Sequence, residues 1–561
     1  MTRNLLSVAI LTIAAITSRP AAQSQPVYAQ HGVVASANMI ASEIGRDVLA
    51  EGGNAVDAAV ATAFALAVVH PSAGNIGGGG FLVFRGSNGE TAAYDFREKA
   101  PASATPEMWL DENGQYSSRK HHSSHLAVGV PGTVAGLHLA WQQQGSLPWI
   151  RLVEPAIELA EEGFPLSVSL ARSIGFALRK MQPYPAAVAQ FSNNGVPYEA
   201  GDVFRQPDLA RSLRLIAERG PDGFYKGEIP RLIAQDMAAN RGALTEQDFA
   251  DYRAVRREVV KGTYRGHEII GMPPPSSGGI AVIEMLNILE PFDLAGNGFG
   301  SAANVHLMTE AMRRAFRDRA MHVGDPDFNP DMPVERLISK SHAAQLRNTI
   351  DRDVATASSL VGFEWLAESD ETTHISVVDR DRGAVSLTYT LEAGYGSGIV
   401  SPGTGFLLNN ELGDFNAAPG LTNDRGLIGT APNLAQPGKR PLSSMSPTIV
   451  AKDGELLMVT GSPGGRTIIN TVLQTIINVI DHGMNAQEAN DAGRIHHQWM
   501  PDVISYEPTA APPDARRILE QMGHTLRPRS SQGAAQVIVV EGDLLEAGPD
   551  RRRADGGAAG Y

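Results

Sequence analysis

The segment from Ala55 to Val69 is almost wholly apolar, and it limits the folds that this chain can adopt. A transmembrane helix needs about 20 apolar residues, and this segment is shorter. It is therefore interpreted as a helix buried inside the protein. Four glycines, Gly77 to Gly80, follow it and lead into a short buried strand, Phe81 to Phe84. Because no Gly-Lys-Ser/Thr sequence follows and the glycines precede a strand, close backbone packing explains them better than a phosphate-binding loop.

Composition narrows the class of protein. The 561 residues include 43% hydrophobic and 19% charged side chains, a globular balance that excludes fibrous and largely disordered chains. This length corresponds to roughly three or four domain-sized units. The formal net charge of −14 argues against binding to nucleic acid or to an anionic membrane. The chain has no cysteine, which excludes a thiol nucleophile, disulfide bonds and thiolate metal sites.

Residues 1–25 are typical of a secretory signal peptide. Arg3 supplies the positive charge near the amino terminus, and Leu5 to Ile16 form the apolar stretch. Pro20 to Gln23 include the small residues that a cleavage site needs. The apolar stretch is too short to cross a bilayer, so no membrane span is expected. An ordinary apolar first helix is the alternative. The prediction is an exported protein, periplasmic or secreted, whose mature chain begins near residue 26.

The middle of the chain, residues 130–350, is predicted to be mostly helical. Apolar residues recur at helical spacing in four segments, Leu152–Glu162, Arg211–Arg219, Ile280–Leu289 and Val305–His322. Residues 351–371 lose this periodicity and become acidic, which indicates an exposed connector.

From Thr372 onward the pattern changes to strands. Thr373–Asp379 and Ala384–Thr390 alternate polar and apolar residues around a four-residue turn, and so predict a β-hairpin. Residue numbers paired across such a turn sum to about 763. This register places Thr390 opposite Thr373 and beside Thr372.

A second hairpin is predicted from Pro447–Ala451 and Leu456–Thr460. The glycine-rich loop Gly461–Gly465 leads from it into an amphipathic helix, Arg466–Ile480. This loop resembles the nucleophile elbow of serine hydrolases, but Thr460 stands where that motif needs its first glycine.

The histidines show no recognisable zinc motif. His121, His122 and His125 lie close in sequence, as do His496 and His497, but neither group has the His-Glu-x-x-His arrangement. Solvated loops are favoured over a metal site at both places.

Thr372 can act as a nucleophile if the chain is cut between Glu371 and Thr372. It would then carry a hydroxyl and an α-amine, whose pKa of about 7.7–8.0 allows it to act as general base to that hydroxyl. The cut can be autocatalytic, because the hydroxyl can attack the Glu371 carbonyl and water can then release the ester. On these residues alone, an ordinary strand threonine is the simpler interpretation.

The residues from Glu368 to Asp379 closely resemble the processing site of γ-glutamyltransferases, which are N-terminal-nucleophile hydrolases. Other segments match that family in the same order: Glu51–Ala58, Asp95–Glu98, Leu408–Glu411, Arg440–Thr448, Thr460–Gly465 and the chain end, Ala559–Tyr561. The resemblance implies an α+β fold, a four-layer αββα sandwich built jointly by two chains after self-cleavage. These are a large chain, residues 26–371, and a small chain, residues 372–561, which form a heterodimer.

The resemblance also implies how a γ-glutamyl donor such as glutathione would bind. The α-amino acid head of the donor is zwitterionic, so its carboxylate needs planar N–H donors and its ammonium needs acceptors. The family positions for the carboxylate are Arg97, Ser443 and Ser444, and those for the ammonium are Glu392, Glu411 and Asp414. Taken alone, these residues would be a surface ion pair, a polar turn and solvated carboxylates.

Catalytic roles follow from the same resemblance. Gly464 and Gly465 match the oxyanion hole, and Thr390 matches the residue whose hydroxyl supports the nucleophile, Thr372. Without the resemblance, they would be turn glycines and a strand threonine. No metal and no organic cofactor is implied.

The implied activity is an exported, self-cleaving enzyme that passes γ-glutamyl groups to water, amino acids or short peptides. A loop near Pro419–Gly429 resembles the lid of relatives, but Arg425 stands where several bacterial members have an aromatic residue. One alternative is an acylase of the same superfamily that acts on glutaryl or β-lactam amides. The other is an uncleaved amino-acid-binding protein.

Overall fold

The structure is a computed structural model that describes residues 24–358, 371–421 and 430–561. Most of the predicted leader, the acidic part of the connector and most of the lid-like loop, with Arg425, lie outside these residues. The strands, in chain order, are β1 (Val27–Ala29), β2 (Val33–Ser36), β3 (Gly79–Arg85), β4 (Thr91–Phe96), β5 (Phe164–Pro165), β6 (Val203–Phe204), β7 (Val255–Arg257), β8 (Val260–Tyr264), β9 (His267–Gly271), β10 (Thr373–Val378), β11 (Ala384–Thr390), β12 (Thr448–Lys452), β13 (Glu455–Gly461), β14 (Ile495–His496), β15 (Ile504–Tyr506), β16 (Leu526–Pro528), β17 (Gln536–Glu541), β18 (Leu544–Pro549) and β19 (Gly557–Gly560).

The α-helices, in chain order, are α1 (Met39–Ala50), α2 (Ala55–Val69), α3 (Ser118–His122), α4 (Thr133–Gln144), α5 (Trp149–Glu162), α6 (Val168–Met181), α7 (Pro185–Phe191), α8 (Pro207–Arg219), α9 (Asp222–Tyr225), α10 (Glu228–Ala239), α11 (Glu246–Asp251), α12 (Gly278–Leu289), α13 (Leu294–Asn297), α14 (Ala302–His322), α15 (Val334–Leu337), α16 (Lys340–Arg347), α17 (Thr467–Ile480), α18 (Ala486–Asp491) and α19 (Pro513–Gln521). Among the described residues, no helix is both long enough and apolar enough to cross a membrane.

Two seven-stranded sheets form the centre of the molecule. Sheet 1 has the order β19-β2-β10-β11-β3-β4-β7, and sheet 2 has the order β1-β18-β17-β13-β12-β9-β8. The sheets pack face to face, since β10 and β11 contact β13 while β2 contacts β17 and β18. Helices α1, α2 and α4 cover the outer face of sheet 1, and α12 and α17 cover that of sheet 2. The predicted four-layer αββα sandwich is therefore confirmed.

Helix α2 is the buried helix that the apolar segment predicts, and every one of its residues is buried. Its first turn is capped twice. The Asn54 side chain accepts from the N–H groups of Val56 and Asp57, and the Asp57 carboxylate accepts from the Asn54 N–H. The Asp379 carboxylate, from the turn after β10, accepts from the Ala55 N–H at 2.9 Å. These bonds satisfy donors that would otherwise be stranded at the buried start of the helix.

The glycines after α2 allow strand β3 to approach β11 closely, as predicted. A Cβ atom on Gly78 would lie 2.0 Å from the Thr390 carbonyl oxygen, and one on Gly80 would lie 2.4 Å from the Thr388 carbonyl oxygen. Larger residues at either position would therefore displace the strand that carries Thr390.

The β10–β11 hairpin forms as predicted, but its register differs by one residue. Thr373 pairs with Tyr389, and Val378 with Ala384. The reason is that Asp379 belongs to the turn, where its carboxylate accepts from the N–H groups of Asp381 and Gly383. The five-residue turn places Thr390 across from Thr372 itself, one position closer than expected.

The middle of the chain contains the predicted helices, which appear as α5, α8, α12 and α14, but it also supplies strands that the helical prediction missed. Strand β7 is an edge strand of sheet 1, and β9 and β8 are the last two strands at one side of sheet 2, with β8 at its edge. Arg265 and Gly266, with φ angles of 47° and 79°, form the tight turn between β8 and β9. Because both central residues have positive φ, this turn matches the twist of a hairpin, and Gly266 was the available sequence signal.

Candidate active site

A cleft with about 270 Å³ of empty space opens where β10 begins and β11 ends. It brings together residues from both halves of the chain that lie far apart in sequence. Its lining is Arg97, Thr372, Thr390, Glu392, Glu411, Asp414, Ser443, Ser444, Met445, Gly465 and Ile468. The lining contains every residue that the sequence predicted for this site except Gly464 and Glu371, which adjoin Gly465 and Thr372.

A line of hydrogen bonds connects Thr372 to the peptide bond that precedes it. The Thr372 hydroxyl donates to Thr390 Oγ1 at 3.3 Å. The Thr390 hydroxyl in turn donates to the Glu371 carbonyl oxygen at 3.1 Å. The Glu392 N–H donates to Thr390 Oγ1 at 2.9 Å, which gives this hydroxyl a third hydrogen bond. Thr390 thus holds both the side chain of Thr372 and the carbonyl of the residue before it.

The buried guanidinium of Arg97 is bound by two carboxylates. Its Nη1 donates to Glu411 and its Nη2 to Asp414. Two backbone carbonyls of the loop after β11 complete the set, with Pro441 O at 3.3 Å from Nε and Leu442 O at 3.2 Å from Nη2. The family resemblance assigns Arg97 to the donor carboxylate, and Glu411 and Asp414 to the donor ammonium. In the structure these three side chains form one ion-pair cluster.

Burial and neighbouring charge shift the proton affinities of this cluster. Burial lowers the pKa of Arg97, but the carboxylates of Glu411, Asp414 and Glu98 outweigh it and raise the pKa overall. Burial raises the pKa of Glu98 to about 7, although Arg97 opposes the shift. Burial likewise raises the pKa of Glu411 well above its usual value. The cluster therefore carries more acidic groups than its single arginine neutralises.

The two serines directly follow Leu442, whose carbonyl accepts from Arg97, and the backbone of Ser443 is joined to the loop before α12. The Ser443 N–H donates to Pro275 O at 3.0 Å, and the Ser277 hydroxyl donates to Ser443 O at 2.7 Å. Arg319 of α14 donates to the oxygens of both Ser277 and Ser444, at 2.8 and 2.9 Å. Sequence reasoning missed Arg319, because a buried arginine on a long helix leaves no local signal of its partner loops.

Gly464 and Gly465 form the turn that precedes α17. Their φ angles are 130° and 54°, in the region that favours glycine. The Gly464 carbonyl accepts from both the N–H and the hydroxyl of Thr467, at 3.0 and 2.7 Å, which fixes the turn. Backbone N–H groups at such a helix start suit a developing negative charge.

Glu392 adopts a conformation that non-glycine residues avoid, with a φ angle of 76°. Its carboxylate accepts a hydrogen bond from the Asn410 side chain. Backbone strain of this kind persists only where surrounding contacts enforce it, and it is common at functional sites.

The histidines singled out in the sequence pack within the protein. His121 lies against Trp109, with ring centroids 4.0 Å apart, and bonds to Leu412 O at 3.0 Å. Burial lowers the pKa of His121 well below its usual value, so the ring is neutral. Two buried groups with metal-ligand chemistry lie elsewhere in the described residues and do not line the cleft: His306, Glu310 and His524, and Glu284, Asp318 and His342.

The αββα sandwich, with a threonine immediately before a central strand and facing a polar cleft, defines the N-terminal-nucleophile hydrolase class. The family model described as gamma-glutamyltranspeptidase matches residues 41–561. This chain belongs to the γ-glutamyltranspeptidase family, and it is accordingly an enzyme, a γ-glutamyltransferase with hydrolase activity.

Two of the following proteins carry names that agree with this assignment, and the third, an acylase, shares the fold. The glutathione hydrolase proenzyme of Escherichia coli (strain K12) is 48% identical over 541 residues, which cover 96% of this chain and 93% of the relative. The crystal structure of Helicobacter pylori γ-glutamyltranspeptidase has a TM-score of 0.57 at 45% identity and covers 60% of this chain and 95% of that one. The structure of cephalosporin acylase from Bacillus halodurans has a TM-score of 0.84 at 28% identity and covers 98% of this chain and 99% of that one.

Proposed function

We propose that this chain is a precursor that cuts itself between Glu371 and Thr372 and then cleaves the γ-glutamyl amide of glutathione and related compounds. The observation that carries this proposal is the hydrogen-bond line from the Thr372 hydroxyl through Thr390 to the Glu371 carbonyl oxygen. The name proenzyme on the relative from Escherichia coli supports a maturation step.

Self-cleavage needs only the groups that this line contains and one water molecule. The Thr372 hydroxyl oxygen attacks the Glu371 carbonyl carbon, while the Thr390 hydroxyl stabilises the charge that develops on the carbonyl oxygen. The C–N bond to Thr372 breaks, and the hydroxyl proton ends on the released amine. Water then hydrolyses the resulting ester, which yields the Glu371 carboxylate and restores the Thr372 hydroxyl.

The fold itself would keep the two products together. Sheet 1 combines β2, β3, β4 and β7 from the large chain with β10, β11 and β19 from the small chain. Sheet 2 is divided in the same way, with β1, β8 and β9 on one side of the cut and four strands on the other. Both hydrophobic layers therefore depend on both chains, and a stable heterodimer follows.

The charges of the cleft suit a zwitterionic donor head. In the proposed complex, the donor carboxylate binds Arg97 and the hydroxyls of Ser443 and Ser444, while the ammonium binds Asp414, Glu411 and Glu392. Arg97 already contacts Glu411 and Asp414, so binding exchanges these two internal ion pairs for pairs with the donor. A glutaryl group has the carboxylate but no ammonium, so it would bring a net negative charge into an already acidic cleft. This difference favours γ-glutamyl donors over the substrates of the related acylases.

Turnover repeats the chemistry of maturation. The Thr372 α-amine, with an ordinary pKa of about 7.7–8.0, takes the proton of its own hydroxyl as the oxygen attacks the γ-carbonyl carbon. The N–H groups of Gly464 and Gly465 receive the developing oxyanion. The proton passes to the leaving amine, such as Cys-Gly, and a γ-glutamyl ester remains on Thr372. Water, an amino acid or a short peptide then attacks this ester, the α-amine passes the proton of the attacking group to the Thr372 oxygen, and the γ-glutamyl product leaves. Named protein groups carry every proton and charge, so the sequence of steps calls for no cofactor.

The place of action is part of the same proposal. Residues 1–25 would direct export, so that the heterodimer works in the periplasm or outside the cell, where peptides serve as acceptors.

Two measurements test the proposed function. Amino-terminal sequencing of the purified protein should show one chain that begins near residue 26 and another that begins with Thr372. Thr372→Ala should stay uncut and release no amine from glutathione. Thr373→Val is the matched control, because it removes the neighbouring buried hydroxyl while keeping its shape, and it should mature. Amine release by an uncut Thr372→Ala protein would overturn the proposal.

A further inference from the structure

Two contacts hold Glu371 on either side of its carbonyl carbon. The carbonyl oxygen accepts from the Thr390 hydroxyl at 3.1 Å. The side-chain carboxylate accepts from Arg553 Nη2 at 3.0 Å. The side chain also packs on Gly394, where an added Cβ would lie 2.9 Å from Glu371 Cγ. Rotation of the Glu371 carbonyl about its backbone is therefore restrained at both ends.

Arg553 is held in place because it lies in a turn that is hydrogen-bonded to the buried residue Asp550. Its N–H donates to Asp550 O, and its carbonyl accepts from the Gly556 N–H, each at 3.2 Å. Asp550 is buried and paired with Arg494. The turn leads directly into β19, which lies in the same sheet as β10. Arg553 and Thr372 thus both adjoin strands of sheet 1.

The two other cations that line the neighbouring cavity have different partners, and the Arg179 guanidinium lies over the Phe176 ring, 4.6 Å from its centroid. Lys180 lines the same cavity as Glu371 and Arg553, a space of about 1020 Å³. Its ammonium donates to the carbonyl oxygens of Gly394 and Gly396. Arg553 is therefore the cation that makes an ion pair with the Glu371 carboxylate in this cavity.

We propose that Arg553 is a positioning residue for self-cleavage, and that it acts by holding the Glu371 carboxylate so that the Glu371 carbonyl carbon faces the Thr372 hydroxyl. This inference rests on the proposed cut between Glu371 and Thr372. The pair acts once in the life of the protein, before the mature active site exists.

The partial exposure of the Arg553–Glu371 pair indicates that it orients the Glu371 carbonyl and contributes little to the stability of the fold. About a third of each side chain is exposed, at 33% for Arg553 and 32% for Glu371. Ion pairs at such positions contribute little to folding. Orientation of reacting atoms, in contrast, strongly affects the rate of an intramolecular attack.

The experiment follows the maturation of freshly synthesised precursor over time by gel electrophoresis and mass spectrometry. Arg553→Ala should slow the appearance of the small chain by about fivefold, the rate equivalent of losing one modest ion pair. Arg553→Lys should restore most of the rate, because it keeps the charge. Arg551→Ala is the matched control, since Arg551 pairs with Asp491 in the same turn region, and it should mature at the wild-type rate.

A double variant decides whether Arg553 acts through Glu371. If it does, Arg553→Ala combined with Glu371→Ala should mature no more slowly than Glu371→Ala alone. Additive effects, or a wild-type rate in Arg553→Ala, would overturn the inference while leaving the proposed function intact. If wild-type precursor yields no chain beginning at Thr372, the proposed function fails and this inference fails with it. After maturation, turnover per small chain in Arg553→Ala should equal that of the wild type, because the bond that Arg553 orients is already cut.

Discussion

The hydroxyl of Thr390 lies across the β10–β11 hairpin from Thr372, and the two side-chain oxygens are 3.3 Å apart. This distance arises from the five-residue turn, which Asp379 holds closed with three backbone N–H donors, one of them from α2. The geometry of the candidate nucleophile is therefore fixed by a turn at the far end of the hairpin and by the helix packed against it.

Thr390→Val should slow both maturation and turnover. The variant keeps the volume but removes the hydroxyl that donates to the Glu371 carbonyl oxygen and accepts from Thr372. Loss of one such donor typically lowers the rate by about 100- to 1000-fold. Maturation is measured as the small chain formed over time, and turnover as amine release from a γ-glutamyl anilide. Thr390→Ser should retain much of both rates, and a fully active Thr390→Val enzyme would remove Thr390 from the proposed machinery.

Arg97→Ala should weaken donor binding and also destabilise the fold. Removing one partner of a buried ion pair costs about 3–5 kcal/mol, because Glu411 and Asp414 would be left without their counter-charge. The KM for a γ-glutamyl anilide should rise steeply, and the thermal midpoint should fall. Arg151→Ala, at an exposed pair with Glu51 and Glu154, provides the control for loss of an arginine. An unchanged KM in Arg97→Ala would contradict the proposed role.

Gly464→Ala should lower kcat with a smaller effect on KM. The φ angle of Gly464 is 130°, and an added Cβ would lie 2.4 Å from Thr467 Oγ1, so the turn must move. Displacing an oxyanion donor costs about 3–4 kcal/mol of activation free energy. Gly454→Ala is a matched control, since Gly454 also has positive φ, at 86°, in an exposed hairpin turn with open space around it. Gly454→Ala should lower the thermal stability of the protein and leave kcat and KM unchanged.

Glu98 should make the stability of the protein depend on pH. Burial raises its pKa to about 7, whereas an unfolded chain gives about 4.3. A carboxyl whose pKa is raised by folding holds its proton more tightly in the folded state. Its contribution to stability is therefore complete below about pH 4.3 and is lost as the pH rises through about 7. Thermal midpoints of the uncut Thr372→Ala protein, measured with and without Glu98→Gln, should diverge across that interval. Parallel curves would argue against a titrating Glu98.

The parts of this architecture that sequence predicts are those set by neighbouring residues. The alternation around Asp379 gives the hairpin, and the apolar run of α2 gives a buried helix. The predicted register was wrong by one residue because Asp379 belongs to the turn, where its side chain accepts hydrogen bonds, and not to the strand. The β8–β9 hairpin was missed because its strands lie within a helical stretch. The contact between Arg97 and Asp414 joins residues 317 positions apart, and no local pattern encodes such a pair. Resemblance to a family supplied the residues, and the structure supplied their pairing.

Asp414 should decide which acyl groups the enzyme accepts. Its carboxylate contacts Arg97 and lines the cleft, so in the proposed complex it moves between that guanidinium and the donor ammonium. Asp414→Asn keeps the shape but removes the charge that the ammonium requires. We expect kcat/KM for a γ-glutamyl anilide to fall by about 100-fold, which corresponds to losing one buried charge-assisted contact of about 2–3 kcal/mol.

A glutaryl anilide has no ammonium, and its acyl group meets one negative charge fewer in the variant, so its kcat/KM should stay level or rise. The ratio of the two values is the decisive quantity, because a general loss of folding would lower both together and leave the ratio unchanged.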